Sequence, residues 1–95
     1  MKKIDWSKRA IKEFDDTSLF WEINNNSNVY SKKLLDETLI KINQISENPF
    51  IGEEVGRNFR RVLVLQNFSI IYKIHKEKIH ISAFFDNRRN PENKF

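Results

Sequence analysis

The sequence predicts an α+β domain: an N-terminal helical hairpin packed on one face of a twisted, mainly antiparallel sheet, in the order β-α-α-β-β-β. Three observations carry that expectation. Apolar residues recur at helical spacing before Pro49 and at every second position after Arg60. Two breaks, Asn24 to Asn28 and Asn48-Pro49, cut the first half into two helix-length pieces, because short amides compete for helix hydrogen bonds and the residue before a proline avoids the helical region. A chain of 95 residues with 39% hydrophobic and 13% aromatic content supports one thin core and leaves no room for a second.

The elements follow in order. Residues 2–6 read as a short edge strand. Residues 7–27 read as the first helix, with Ser7 as N-cap and Ala10, Phe14 and Trp21 on one face. Trp6, Phe14 and Trp21 are expected in the core. Residues 29–47 form the second helix, whose apolar stripe is Leu34, Leu35, Leu39, Ile42 and Ile45. Two helices joined by so short a loop pack antiparallel. Residues 60–85 form a three-stranded antiparallel meander with turns at Asn67, which tolerates a left-handed backbone, and at Lys76-Glu77. Phe68, Ile70, Tyr72 and Ile74 share one face. On the last strand Ile79, Ile81, Ala83 and Phe85 are expected on one face, with His80, Ser82 and Phe84 opposite. Residues 86–95 read as a polar tail.

Composition also excludes function classes. The chain has no cysteine, so thiol nucleophiles and cysteine-ligated zinc are out. Its histidines are His75 and His80, with no carboxylate set spaced around them. Its glycines are Gly52 and Gly56, too few for a phosphate loop. No cofactor and no metal are expected. The longest apolar run, Val62 to Leu65, is far short of a membrane span, and the N-terminus has no apolar signal region, so a cytoplasmic protein is expected.

The net charge of +4 is unevenly spread. Residues 1–48 carry eight basic and eight acidic side chains, whereas residues 49–95 carry nine basic against five acidic. Such asymmetry points to an anionic partner. Arg57, Arg60, Arg61, Arg88 and Arg89 are the informative set. The start of the first meander strand and the end of the third can lie at the same sheet end, so Arg57, Arg60 or Arg61, and Arg88 or Arg89 are expected to converge. Converging guanidinium groups bind phosphate or carboxylate oxygens in bidentate fashion.

The chain resembles the RelE/ParE superfamily, the toxin half of bacterial type II toxin–antitoxin modules of the plasmid-stabilization kind. The residues that carry the resemblance are Trp6-Ser7-Lys8-Arg9-Ala10, Asn48-Pro49-Phe50-Ile51-Gly52, Arg60, Phe68 to Ile74, and Ile79 to Pro91 with its Arg88-Arg89-Asn90-Pro91 ending. The resemblance implies the same β-α-α-β-β-β fold and favours Arg60 over Arg61 as the functional arginine. It implies one of two activities. RelE-like members resemble ribosome-dependent mRNA endonucleases. ParE-like members resemble inhibitors of DNA gyrase with no established hydrolytic chemistry.

Metal-independent RNA cleavage needs a base for the 2′-OH, charge stabilisation at phosphorus and an acid for the leaving oxygen. Family nucleases usually carry proton-transfer groups near the last strand and tail. Here the tail has no His, Tyr or Lys before Lys94, and its carboxylates are Asp86 and Glu92. That leaves Arg60 and Arg88 for charge and His80 for proton transfer, if the chain is a nuclease. The long first helix also looks ParE-like. The expectation is therefore a growth-inhibiting, ParE-like gyrase toxin. The alternatives are a RelE-like nuclease and a non-toxic binding or regulatory member. The implied partners are a cognate antitoxin, acidic and partly disordered, in a hetero-oligomer, and gyrase or ribosome-bound mRNA as target, with no membrane. The antitoxin is expected over the Arg60/Arg88 region.

Overall fold

The computed structural model describes residues 2–89. Strand β1 (Lys3–Trp6) leads into helix α1 (Lys8–Asn25) and helix α2 (Val29–Glu47). A 3₁₀ turn, Pro49–Ile51, then feeds β2 (Glu53–Val55), β3 (Phe59–Val64), β4 (Phe68–His75) and β5 (Lys78–Asp86). The five strands form one sheet in the order β1-β5-β4-β3-β2, antiparallel except for the β1–β5 pair. The tail residues 90–95 lie outside the described residues.

Ser7 caps α1 as expected: its Oγ accepts from the Ala10 amide at 3.0 Å. Asn26 ends the helix in the left-handed conformation, φ 51°, which Asn adopts more readily than most residues. The core between the hairpin and the sheet holds Ala10, Leu34, Ile42, Ile45, Val64, Phe68, Ile70, Tyr72, Ile79, Ile81 and Phe84. Trp6, Phe14 and Trp21 pack against it. An aromatic chain threads through it. Phe14 meets Phe84 edge-on at 5.1 Å between ring centroids, and Phe84 stacks on Phe68 at 5.9 Å.

Five details differ from the sequence reading. The meander gains a strand: β2 pairs with β3 through Glu53↔Arg61, Glu54↔Arg60 and Val55↔Phe59. Three residues reading Glu-Glu-Val carry no alternation that would announce a strand. Second, the last strand switches faces. The pairing jumps from Tyr72↔Ile81 to Ile71↔Ala83, leaving Ser82 as a bulge. Ile79 and Ile81 therefore face the helices together with Phe84, whereas Ala83 and Phe85 join Ile71 on the other face. The backbone groups freed by the bulge have partners from the β1–α1 junction. Ser7 donates its amide to the Ile81 carbonyl at 2.9 Å and its hydroxyl to the Ser82 carbonyl at 3.1 Å. The Phe84 amide donates to Glu13 at 3.1 Å.

Third, the left-handed residues of the β3–β4 turn are Leu65 and Gln66, φ 50° and 65°, not Asn67. Fourth, Leu35 and Leu39 stay exposed, because α1 covers only part of the α2 stripe. Fifth, Asp86 belongs to β5 and not to the tail.

Candidate functional site

The arginines do not converge. In a three-stranded meander the first strand starts at one sheet end and the third finishes at the other. Arg60 pairs with Tyr72, whereas Arg88 lies just beyond Asp86, which pairs with Phe68 next to Val64. The four steps along the strand from Arg60 to Val64 alone span ~13 Å. Arg57, Arg60 and Arg61 thus sit at one end of the sheet, and Arg88 and Arg89 at the other. The expected convergence of Arg60 and Arg88 at one sheet end is thereby corrected.

The Arg60 end is a latch. Tyr72, fully buried, donates its hydroxyl to the Pro49 carbonyl at 2.7 Å and accepts the Gly52 amide at 3.0 Å. Arg60 lies on the same face of the sheet as Tyr72. Its Nη1 donates to the Gly52 carbonyl at 2.7 Å, its Nη2 meets Glu54 at 3.2 Å, and its guanidinium lies 5.0 Å from the centre of the Phe50 ring. The Pro49–Gly52 segment is thereby pinned by three hydrogen bonds and a cation–π contact. Arg61 points to the opposite face and pairs with Glu53. Arg57 is exposed in the β2–β3 turn. Glu53 and Glu54 thus answer the charge of Arg61 and Arg60, a pairing that only the unannounced strand β2 makes possible.

Burial raises the Tyr72 pKa above 10.0, partly offset by the Gly52 hydrogen bond and the Arg60 charge. A proton held more tightly in the folded state than in the unfolded one gives stability that is complete below pH 10 and is lost as pH rises through the folded pKa. The stability measured by urea unfolding between about pH 9 and 11, roughly one unit either side of the phenol's ordinary pKa, is therefore expected to fall more steeply with pH for the wild type than for Tyr72→Phe. Parallel slopes for the two proteins would contradict this.

The Arg88 end is built on a buried carboxylate. Asp86 accepts Nε1 of Trp21 at 2.6 Å and the Arg88 amide at 3.0 Å, with Arg88 Nε at 3.5 Å. The Arg88 guanidinium lies 4.4 Å from the Trp21 ring centre and reaches the Tyr30 hydroxyl at 3.3 Å. Arg89 stacks 3.7 Å from the centre of the Phe20 ring. These arginines are spent on aromatic packing as much as on solvent.

His80 stands apart from both ends. It is directly opposite Asp5 in the β1–β5 register, and its Nδ1 is 3.1 Å from an Asp5 carboxylate oxygen. It shares the helix-free face of the sheet, the opposite side from Arg60. His75 is exposed at the end of β4. Among the described residues no group of three or more His, Asp or Glu could hold a metal ion, and no helix is long and apolar enough to cross a membrane.

The latch partners of Arg60 escaped the sequence reading, although Gly52, one of two glycines, marked the place. The Asp86–Trp21 bond escaped it entirely, since nothing in the order of residues links positions so far apart.

Comparisons with known proteins agree with this architecture. No curated protein matches the sequence. The fold is similar to a chain of the chromosomal ParDE TA system from P. aeruginosa, with TM-score 0.70 and 13% identity over 90% of this chain and 96% of that one. It is also similar to YafQ from E. coli strain BL21(DE3), with TM-score 0.52 and 14% identity over 94% of this chain and 97% of that one. Residues 4–91, nearly the whole chain, match the family described as the ParE toxin of the type II toxin–antitoxin system parDE, and the chain belongs to that family.

Proposed function

We propose that this toxin acts without hydrolysis, by ParE-like inhibition of DNA gyrase, and that a cognate antitoxin neutralises it. The observation that carries the first half is the dispersal of the three residues that the sequence singled out for cleavage, Arg60, Arg88 and His80. Arg60 and Arg88 lie at opposite sheet ends, and His80 lies on the other face from Arg60, tied to Asp5. Acid, base and charge stabiliser must all reach one phosphate, each within hydrogen-bond distance. Tyr72 is no substitute, since its hydroxyl is buried and engaged on both sides.

The antitoxin half is supported by an apolar groove on the outside of the hairpin. Trp6, Ile11, Phe14, Leu35 and Leu39 line a recess of about 320 Å³. Thr38 lies in its floor, buried, with an Oγ1 that has no hydrogen-bond partner among the described residues. An amphipathic segment that orders on docking would cover these side chains.

The test is induction of the chain alone, with DNA supercoiling and ribosome-bound mRNA assayed in parallel. Growth arrest with lost supercoiling and intact mRNA is expected. Codon-phased mRNA cuts with normal supercoiling would replace this reading by the nuclease. Unimpeded growth with soluble protein would leave a non-toxic binding member. Co-expression of the adjacent reading frame restores growth if the antitoxin reading is right.

A further inference from the structure

The net charge of the protein gathers at one end of the sheet. β1 runs parallel to β5, with Lys3 opposite Lys78, and Lys78 is in turn opposite His75 at the end of β4. Lys2 donates from Nζ to the Lys76 carbonyl in the β4–β5 turn at 2.9 Å. The β2–β3 turn, which carries Arg57, lies at the same end, because Arg60 pairs with Tyr72 near the finish of β4. Lys2, Lys3, Arg57, Lys73, Lys76 and Lys78 thus meet there from three stretches of the chain. Arg60 and Arg61 beside them are answered by Glu54 and Glu53. The other carboxylates at this end are Asp5, bonded to His80, and Glu77, 4.0 Å from Lys2. Six cations against two carboxylates account for the whole net charge of +4, since the rest of the sequence carries eleven basic and eleven acidic side chains.

We infer that this end of the sheet grips the phosphate backbone of duplex DNA, without reading its sequence. Spacing supports the fit. From β1 across β5 and β4 to β3 there are three strand gaps, about 14 Å in all. One DNA strand sets down a phosphate every ~3.4 Å of helix axis, so a row of that width faces about four of them. Lys3, Arg57, Lys76 and Lys78 are exposed, and Lys3, Lys73 and Lys78 share the helix-free face. A cleft of about 500 Å³ between the β2–β3 turn and the finish of β4 has Lys73 and His75 in its walls and gives one phosphate a seat. Glu54, also in that wall, is held by Arg60. An acidic protein suits the surface less well. Carboxylates are best held by forked guanidinium groups, and Arg60 and Arg61 already spend theirs on Glu54 and Glu53. Lysines are point charges on flexible stems, suited to a regular polyanion. A single strand is held by stacking its bases on aromatic rings. Here Phe59 is half-buried with the Lys73 ammonium 5.9 Å from its centre, and the Arg60 guanidinium lies against Phe50.

The inference goes beyond the gyrase reading and does not rest on it, so its test contains no gyrase. The full chain is titrated into a fluorescently labelled DNA duplex, and anisotropy is read at salt concentrations from about 50 to 200 mM. Four phosphate contacts predict a slope of about −3.6 for log K against log salt, a loss of roughly a hundredfold over that range. Lys3→Gln with Lys78→Gln removes two cations that face each other across the β1–β5 register, and the slope is expected to become shallower by about 2. Lys32→Gln with Lys33→Gln removes the same charge from the exposed side of α2 and is expected to leave the slope unchanged. Both pairs are exposed, and amide spectra report that the variants are folded. No binding to the duplex at the lowest salt, or equal losses for the two double variants, would overturn the inference. So would tighter binding of the matching single strand or of polyglutamate, which would assign the surface to that partner instead.

Discussion

Replacing Asp86 with alanine is expected to lower the unfolding free energy by roughly 3–5 kcal/mol, the range for stranding the partners of a buried charge. The carboxylate side chain has no exposed surface. It accepts the Trp21 indole N–H and the Arg88 amide, and it faces the Arg88 guanidinium. Alanine removes the acceptor from all of them at once. Arg88 is 40% exposed and can turn to water, which places the effect nearer the lower bound. The Trp21 N–H has no such escape, because its ring is packed between Phe20, Tyr30 and the Arg88 guanidinium. Asp86→Asn keeps the shape and one carbonyl acceptor, so it is expected to recover part of the loss. Equilibrium urea unfolding measures both. A loss below about 1 kcal/mol for alanine, the worth of one ordinary hydrogen bond, would mean that the end of the sheet does not depend on this carboxylate.

Gly52→Ala is expected to cost about 1–3 kcal/mol, the range for overpacking a core. The backbone conformation is not the reason, since φ at Gly52 is −76°, open to any residue. Space is. An added Cβ would lie 2.7 Å from the Tyr72 hydroxyl, 2.9 Å from Tyr72 Cε1 and 3.0 Å from the Arg61 carbonyl oxygen. Tyr72 cannot retreat, because it is buried and its hydroxyl is held by Pro49 and Gly52. Tyr72→Phe removes the closest of those atoms together with its hydrogen bonds. In a double-mutant cycle Gly52→Ala should therefore cost less in the Tyr72→Phe background than in the wild type, with a coupling on the order of 1 kcal/mol. Additive losses would show that the latch and the glycine are independent.

The latch also explains why Arg60 was only half legible. The strand that starts at Arg60 is visible as alternation, and so is the shared face of Ile70, Tyr72 and Ile74. What Arg60 binds is not. Its partners are the Gly52 carbonyl and Glu54, brought beside it by a strand too short and too polar to show a period. The face of Phe84 was misread for a related reason. One bulged residue, Ser82, reverses every side chain after it, and its carbonyl and its neighbours are answered by Ser7 and Glu13 from the far end of the chain. Alternation counts positions along one strand and carries no trace of a residue left out of the ladder.

The +4 charge and its concentration after Pro49 are properties of the chain itself, as are the helical hairpin, the change of period and the core aromatics. Those are local, set by which residues recur at 3.6 or at 2. The tertiary structure decided how the charge is used. An antiparallel meander reverses direction twice, so its first and last residues lie at opposite ends of the sheet. The same arginines that read as one cluster become a latch at one end and an aromatic clasp at the other.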